Sequence, residues 1–341
     1  MIEWSGDRTH VLLNPRLPLD EQEKLERLAR ASRLRRHVIV ATSGSSGALK
    51  LVAMSKEAVL ASAAAVNERL EATSNDVWCC VLPTFHVGGL GIFARAHLTG
   101  SRVIQMSWNP QAFASTETTL ASLVSAQVHD LLAADLKPPS SLRAILVGGG
   151  PFDADLAERA RARGWSVLPV YGLSECCSTV TVCEVLLSHL DAREERGGRL
   201  AFRGASLFTG YITEEGLIDP KTDGWFVTDD VGEVDGRVVR VHGRRGDFVK
   251  IGGESVDLAR LDRILDDVCS SVDAAIIAVP DARLGHVIHL AASGEADDVV
   301  ERFNARVLPF ERIRHVHRVR SIPRSSLGKL LRSELVRRVT S

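Results

Sequence analysis

The chain has 341 residues, of which 45% are hydrophobic and 25% charged, and its formal net charge is −1. The composition is that of a globular protein, and the length is enough for two domains or for one large and one small domain. The charge argues against nucleic acid or an acidic membrane surface as main partner. The six cysteines show no C-x-x-C spacing, which predicts reduced thiols without a disulfide framework or zinc site. With no signal peptide and no membrane-spanning apolar run, we predict a cytoplasmic protein.

Strands and helices are predicted to alternate through the first half of the chain. Strands are expected over 37–41, 77–82, 102–105, 142–147 and 165–170, and helices over 20–34, 56–70, around Arg95, and over 109–120, 128–134 and 153–163. Ser55 is the expected N-cap of the helix that follows it. Because strands alternating with helices form layered sheets, this pattern predicts the α/β fold class, with a large layered N-terminal domain.

Glycine-bearing loops are predicted at 42–50, 148–151 and 171–175. In open α/β sheets ligands bind beyond the carboxyl ends of the strands, so we expect the three loops to converge on one crevice.

The chain changes character after Cys183. Short strands over 200–203, 225–228, 232–234 and 238–242 predict a small β subdomain, and the charged stretch 243–247 is a plausible linker. Strands over 248–251, 274–279 and 315–319, helices over 258–268 and 297–307, and a basic last helix predict an α+β C-terminal domain. The expected domains are therefore residues 1–245 and 246–341.

The stretch 42–50 has the composition of a phosphate-binding loop. Its glycines allow backbone N–H groups to point at one anion, its hydroxyls donate hydrogen bonds, and Lys50 adds a positive charge. It is not a Walker loop, because two residues separate the last glycine from the lysine. A flexible Ser/Gly turn is the alternative. The candidate phosphate-binding residues are Thr42, Ser43, Gly44, Ser45, Ser46, Gly47 and Lys50.

Five motifs together resemble those of the adenylate-forming superfamily of acyl-CoA synthetases, luciferases and peptide-synthetase adenylation domains. They are T-S-G-S-S-G-A-L-K at 42–50, Y-G-L-S-E at 171–175, W-F-V-T-D-D-V-G at 225–232, G-R at 243–244 and P-R-S-S-L-G-K at 323–329. The resemblance runs from about residue 38 to 332. It implies a truncated adenylate-forming fold with a small mobile C-terminal domain, and ATP, Mg²⁺ and coenzyme A as cofactor and co-substrates.

The resemblance also implies the role of single residues. Tyr171 would stack on adenine, Glu175 would bind Mg²⁺, and Lys329 would bridge the attacking carboxylate and the nucleotide. The alternatives are a solvated loop acid for Glu175 and a surface lysine for Lys329. Asp229 replaces a family glycine and has no assigned role. The further nucleotide-binding positions are Gly149, Gly150, Gly172, Ser174, Asp230 and Arg244.

Two further functions of the C-terminal domain are implied by the same resemblance. Gly246 stands at the hinge about which this domain rotates between two half-reactions. Lys250, Gly252 and Gly253 belong to the segment that faces coenzyme A in the family. First a carboxylate would attack the ATP α-phosphorus to give acyl-AMP, and then the thiolate of coenzyme A would attack the acyl carbonyl.

The stretches 82–95 and 171–180 are similar to the o-succinylbenzoate–CoA ligases of menaquinone biosynthesis within that superfamily. In these ligases an arginine at the place of Arg95 holds the aromatic carboxylate of the acid. An unpaired buried carboxylate would be costly, so the acid needs such a cation. A solvated or ion-paired surface arginine is the alternative. The acid-binding candidates are His86, Arg95, Gly148, Ser178 and Thr179.

Other functions remain open from the sequence. The same chemistry on a different acyl or aryl acid is one, a truncated nucleotide-binding protein without catalysis is a second, and adenylation for a separate carrier protein is a third. Only about forty residues precede the phosphate loop, fewer than in the superfamily. We therefore expect one side of the large domain to be open, where a second copy in a homodimer would fit.

Overall fold

The computed structural model describes residues 2–43, 49–150, 152–244, 248–269, 272–323 and 330–340. Within this part of the chain, one compact unit contains residues 2–42 and 49–244, and a second begins at residue 248. Six predicted site residues lie outside the described residues: Gly44, Ser45, Ser46, Gly47, Gly246 and Lys329.

The strands of the first unit come in the following chain order. They are β1 (His10–Leu12), β2 (His37–Ser43), β3 (Leu49–Ser55), β4 (Val77–Cys80), β5 (Arg102–Gln105), β6 (Leu120–Val124), β7 (Ala144–Gly148) and β8 (Val167–Leu173). They continue as β9 (Ser178–Val182), β10 (Val185–Leu186), β11 (Leu190–Glu195), β12 (Arg199–Gly204), β13 (Gly210–Thr213), β14 (Gly216–Ile218), β15 (Phe226–Asp235) and β16 (Val238–Arg244).

Two sheets are formed by these strands. The larger has the order β11-β12-β15-β16-β10-β9-β8-β7-β6-β4-β5, and the smaller has the order β1-β2-β3-β13-β14. Strands β4 to β8 of the larger sheet run parallel, and β9 returns antiparallel to β8. Of these parallel strands, β4, β6 and β7 are short buried apolar runs, as expected for strands covered on both faces. The predicted α/β fold class is confirmed.

Three helices of the first unit begin where a side chain accepts a backbone hydrogen bond. Ser55 Oγ accepts from the Ala58 N–H at 3.1 Å, as predicted, and Asp153 caps its helix in the same way. The helices are α1 (Leu19–Ala31), α2 (Lys56–Leu70), α3 (Val87–Thr99), α4 (Pro110–Ala114), α5 (Ser125–Ala133) and α6 (Ala154–Ala162). No described helix is long and apolar enough to cross a membrane.

The helix predicted over 109–120 is wrong. Helix α4 ends at Ala114, and β6 begins at Leu120 between β4 and β7. The hydroxyl of Thr118 donates to the Val77 carbonyl at 2.9 Å and fixes the entry of this strand. Burial between two strands outweighs the local helical pattern, because tertiary packing overrides propensity.

The separate β subdomain predicted after Cys183 is also wrong. Strands β12, β15 and β16 extend the larger sheet, while β13 and β14 extend the smaller one. The two strands predicted over 225–234 form one strand, β15, with an irregularity between Val231 and Gly232. A Cβ at Gly232 would lie 2.1 Å from the Arg240 carbonyl oxygen, which explains the glycine there.

The second unit is an α+β assembly of its own. Strands β17 (Phe248–Ile251) and β18 (Glu254–Asp257) form a hairpin, and β19 (Ala274–Asp281), β20 (Gly285–Ala292) and β21 (Ile313–Arg318) form a sheet in that order. Its helices are α7 (Leu258–Val268), α8 (Asp297–Asn304) and α9 (Arg332–Thr340). Buried Leu261, Leu265 and Phe303 pack in its core. Strand β20 was missing from the predicted elements.

His189 is a largely buried histidine between β10 and β11. Neither ring nitrogen has a hydrogen-bond partner among the described residues. Burial, and secondly the charge of Arg237, lowers the pKa of His189 to about 4. Between about pH 6.5 and 4, the unfolded chain therefore binds a proton at His189 and the folded chain does not. The free energy of unfolding falls as pH drops through this range.

We expect His189→Leu to reduce this acid sensitivity. Between about pH 7.5 and 4.5 the variant should lose about 2 kcal/mol less unfolding free energy than the wild type. Urea unfolding followed by tryptophan fluorescence measures this in the first unit, because the tryptophans at 4, 78, 108, 165 and 225 all precede residue 245. Equal losses in both proteins would contradict the assignment.

Candidate functional site

Tyr171 and Asp230 meet although 59 positions separate them. The hydroxyl of Tyr171 donates to Asp230 Oδ2 at 2.6 Å. The backbone N–H of Asp230 donates to Thr228 Oγ1 at 3.0 Å, and that hydroxyl donates to the Leu200 carbonyl at 2.9 Å. The carboxylate is thus oriented by β8 and by its own strand β15. The structure brings together these two predicted nucleotide-binding residues.

Arg244 lies directly opposite Asp230 in the register of β15 and β16. Its backbone position therefore agrees with a shared site, while its side chain lies outside the described atoms. The same holds for the side chain of Ser43 at the end of β2. Thr42 and Lys50 lie on β2 and β3, which are adjacent strands of the smaller sheet.

Asp229 has a structural partner. Its Oδ1 lies 3.4 Å from Arg199 Nη2, and Arg199 Nε donates to the Thr228 carbonyl at 2.8 Å. This links β12 to β15 beside Asp230. An exposed ion pair of this kind contributes about 0–1 kcal/mol, so its effect is mainly to fix the local backbone.

Glu175 occupies a short 3-10 turn, Ser174–Cys176, directly after β8. The hydroxyl of Tyr211 donates to Glu175 Oε1 at 2.7 Å, and the Lys50 ammonium lies 5.1 Å from the centre of the Tyr211 ring. Lys50 and Glu175, both predicted, are thus joined by a tyrosine that sequence reasoning missed. Residues 171–173, predicted as part of a loop, belong to β8 instead.

The carboxylate oxygens described here fit a magnesium ion that a triphosphate would also bind. Mg²⁺ is commonly held by one or two carboxylates while phosphates and water complete its octahedron. Glu175 offers a hard carboxylate oxygen of this type. The described residues contain no group of three or more histidine, cysteine or acidic side chains arranged around a metal. A cage built only from protein ligands is therefore not present in this part of the chain.

Gly172 permits an unusually close approach of β8 and β9. A Cβ at this position would lie 2.0 Å from the Ser178 carbonyl oxygen. Cys177, just before the return strand, and Ser178, its first residue, have φ values of +57° and +133°, which non-glycine residues rarely adopt. The tight return places Ser178 and Thr179, both buried, at the start of β9.

Arg95 is buried on α3, with 2% of its surface exposed. Its Nη1 donates to Ser122 Oγ and its Nη2 to Thr179 Oγ1, both at 3.2 Å, and the Trp78 ring lies 5.3 Å from its Cζ. Arg95 Nε has no partner, and no carboxylate of the described chain forms an ion pair with this guanidinium. Burial lowers the pKa of Arg95 to about 10, which still leaves it charged at neutral pH.

The other acid-binding candidates lie at different distances from Arg95. A Cβ at Gly91 would lie 3.2 Å from Arg95 Nη2 and 3.4 Å from Ser178 Oγ, so the three lie together. His86 occupies the N-cap position of α3 without a capping side-chain hydrogen bond, about 13 Å before Arg95 along the helix axis, and its ring packs against Phe85.

The remaining predicted glycines lie at strand ends. Gly148 ends β7 with Gly149 and Gly150 after it, and Gly149 has a φ of +81°. In the second unit Gly252 and Gly253 have φ values of +59° and +92° and join β17 to β18. Two consecutive positive φ values are what a tight hairpin turn requires. Lys250 precedes that turn on β17.

Buried thiols near the site are poor nucleophiles. Burial raises the pKa of Cys176 and Cys177 well above the ordinary value for a thiol, and the charge of Glu175 acts in the same direction. Both side chains therefore remain protonated at neutral pH, whereas thiolates are the reactive form.

Comparison with known proteins identifies relatives over most of the chain. A family model described as AMP-binding enzyme matches residues 20–207. A probable 2-succinylbenzoate–CoA ligase of Mycobacterium tuberculosis is 30% identical over 327 residues, which cover 88% of this chain and 84% of the relative. A 2-succinylbenzoate–CoA ligase of Staphylococcus epidermidis is 28% identical, covering 87% of this chain and 69% of the relative.

A solved structure agrees with these relatives. It is a double mutant of the o-succinylbenzoate CoA synthetase from Bacillus subtilis, bound with a product analogue. Its TM-score is 0.78 at 25% identity, and the match covers 87% of this chain and 68% of the other. The predicted adenylate-forming α/β fold is therefore confirmed.

We expect Gly172→Ala to destabilise the first unit by about 2–4 kcal/mol, because its Cβ would overlap a backbone oxygen that cannot rotate away. Gly88→Ala is the matched control, since its Cβ would make only a 3.4 Å contact with a Leu82 methyl group. Urea unfolding of both variants measures the difference. Similar stability of the two would show that β8 and β9 can separate at no cost.

Proposed function

Since this chain belongs to the AMP-binding enzyme family, we propose that it joins 2-succinylbenzoate to coenzyme A in an ATP-dependent reaction through an acyl-adenylate. The product is 2-succinylbenzoyl-CoA. Acid–thiol ligase chemistry is common to the named relatives, and the choice of acid is the more specific part of the proposal. The observation that carries it is the buried Arg95 guanidinium.

A buried cation without an anionic partner is costly. Two neutral hydroxyls and an aromatic face stabilise Arg95 in part, but no carboxylate of the described chain neutralises it. 2-Succinylbenzoate carries two carboxylates, of which the succinyl group is activated. Its aromatic carboxylate would pair with Arg95 through charge-assisted hydrogen bonds. Ser178 and Thr179 would line the same end of the acid.

Nucleotide binding is assigned to a second set of residues. Asp230, oriented by Tyr171, would accept hydrogen bonds from the ribose hydroxyls, with Arg244 across the strand pair. Gly149, Gly150, Gly172 and Ser174 would contact adenine and the α-phosphate, and the stretch 42–47 would contact the triphosphate. The proposed ring position of Tyr171 against adenine leaves its hydroxyl bonded to Asp230.

The proposed chemistry is electrostatic. Glu175 would hold Mg²⁺, which when bound neutralises triphosphate charge. Lys50 and Lys329 would stabilise charge that develops at the phosphates while a carboxylate oxygen of the acid attacks the α-phosphorus and pyrophosphate leaves. The thiolate of coenzyme A then attacks the acyl carbonyl and AMP leaves. Lys250, Gly252 and Gly253 are assigned to the coenzyme A side, and Gly246 to the hinge.

The first test is thioester formation from ATP, Mg²⁺, coenzyme A and a panel of acids. We expect a strong preference for 2-succinylbenzoate, and a loss of adenylation by about 10²–10³-fold in Lys329→Ala. Chromatography of the CoA products measures both. Turnover of other acids alone would keep the ligase and discard this substrate, and ATP binding without any acyl-AMP would favour the non-catalytic alternative.

The second test concerns Arg95. Arg95→Met should raise KM for 2-succinylbenzoate by about 10–100-fold, because a charge-assisted pair is lost. KM for 4-oxo-4-phenylbutanoate, which lacks the aromatic carboxylate, should change little or fall. Arg69→Met, an exposed arginine on α2, is the matched control. An equal effect on both acids would remove Arg95 from the acid site.

The homodimer stays a prediction, because the structure contains a single chain. Sedimentation velocity of the active protein tests this prediction, and a stable active monomer would contradict it.

A further inference from the structure

The chain contains two tyrosines, and each donates its hydroxyl to a carboxylate of the proposed nucleotide site. Tyr171 serves the ribose side at Asp230, as described above. We propose that Tyr211 is the positioning residue of the phosphate side, which orients Glu175 for Mg²⁺ and the Lys50 ammonium for the triphosphate. This inference rests on the proposed function and adds to it a residue that no sequence motif marked.

The hydrogen bond to Glu175 favours metal binding through its geometry. The Tyr211 hydroxyl donates to Oε1 at 2.7 Å and so fixes the direction in which the carboxylate points. Partners of this kind behind a metal ligand typically change metal affinity by about 10–100-fold when they are removed.

The contact with Lys50 follows from the pairing of β3 with β13. Tyr211 lies opposite Val52, and Lys50 lies two residues before Val52 on the same face, so the two side chains are diagonal neighbours. The ammonium lies 5.1 Å from the ring centre, within the range of a cation–π interaction. The ring therefore limits where a long flexible lysine can place its charge.

Backbone hydrogen bonds hold Tyr211 at a fixed distance from both partners. The Phe208 N–H donates to the Glu175 carbonyl at 2.8 Å, and the Thr209 N–H donates to the Ala53 carbonyl at 2.7 Å. Lys221 Nζ donates to the carbonyls of Phe208 and Thr209 at 2.8 and 3.1 Å. The segment before β13 is thus tied to the Glu175 turn and to β3 at once.

One side chain consequently couples the two charged groups that would meet a magnesium–triphosphate complex. Removing the hydroxyl alone should affect Glu175, while removing the ring as well should affect Lys50. The variants Tyr211→Phe and Tyr211→Leu separate these two effects. Tyr171→Phe is the matched comparison, because it removes the other tyrosine hydroxyl from the ribose side.

The kinetic test measures ATP–pyrophosphate exchange with the best acid of the panel over a range of Mg²⁺ concentrations. Tyr211→Phe should raise the Mg²⁺ concentration for half-maximal exchange about 10-fold. Tyr211→Leu should in addition raise KM for ATP. Tyr171→Phe should raise KM for ATP and leave the Mg²⁺ dependence unchanged. Thermal unfolding confirms that each variant is folded.

The binding test needs no turnover. Tyrosine labelled with ¹³C at Cζ gives two resonances in this chain, and Tyr171→Phe assigns the one from Tyr211. We expect the Tyr211 resonance to shift when Mg²⁺ is added to the ATP-bound protein, and this shift to disappear in Glu175→Gln.

The outcomes separate the two proposals. Two results together would overturn the role of Tyr211: a Tyr211 resonance that does not shift when Mg²⁺ is added, and an unchanged Mg²⁺ dependence of exchange in Tyr211→Phe. The proposed ligase function would still hold. A wild-type protein that binds no ATP, with or without Mg²⁺, overturns the proposed function and this inference with it. A different preferred acid leaves the binding result valid.

Discussion

The close approach of β8 and β9 is the constraint on which the candidate site depends. Because Gly172 has no side chain, the Ser178 carbonyl can lie where a Cβ would otherwise be. The return strand tolerates positive φ values to make this turn. Tyr171 and Glu175 then lie before the turn, while Thr179 lies after it beside Arg95. A single backbone contact thus relates the proposed nucleotide groups to the proposed acid group.

The proposed selectivity for a dicarboxylic acid comes from the charge of the buried Arg95. Ser122, Thr179 and the face of Trp78 make the buried guanidinium tolerable, and none of them cancels its charge. Replacing water by protein around an unpaired cation strengthens its attraction for an anion. An acid with a second carboxylate would gain from this attraction, whereas a simple fatty or aryl acid would not.

The proposed nucleotide site is arranged in a similar way. Each carboxylate is oriented by one tyrosine hydroxyl, and the neighbouring thiols stay protonated because burial raises the pKa of Cys176 and Cys177. Neither of these two thiols would therefore compete as a nucleophile in the proposed reaction. In that proposal, positioned charge would promote acyl transfer between the bound substrates.

Local patterns were enough to predict much of this protein. The N-cap at Ser55 and the strand over 102–105 follow from short-range chemistry in consecutive residues. The roles of Tyr171, Glu175 and Asp230 were implied by the resemblance of short motifs and stay predictions. Tertiary structure alone decided that 120–124 is a strand. Burial between β4 and β7 is a property of those neighbouring strands, which the residues of the segment do not reveal.

Long-range pairing also decided the roles of Tyr211 and Asp229, which no local motif could indicate. Tyr211 acquires its role from the register of β13 against β3, and Asp229 from Arg199 on β12. Register joins segments that are far apart in the chain, so its consequences for a single side chain appear only once the sheets are assembled.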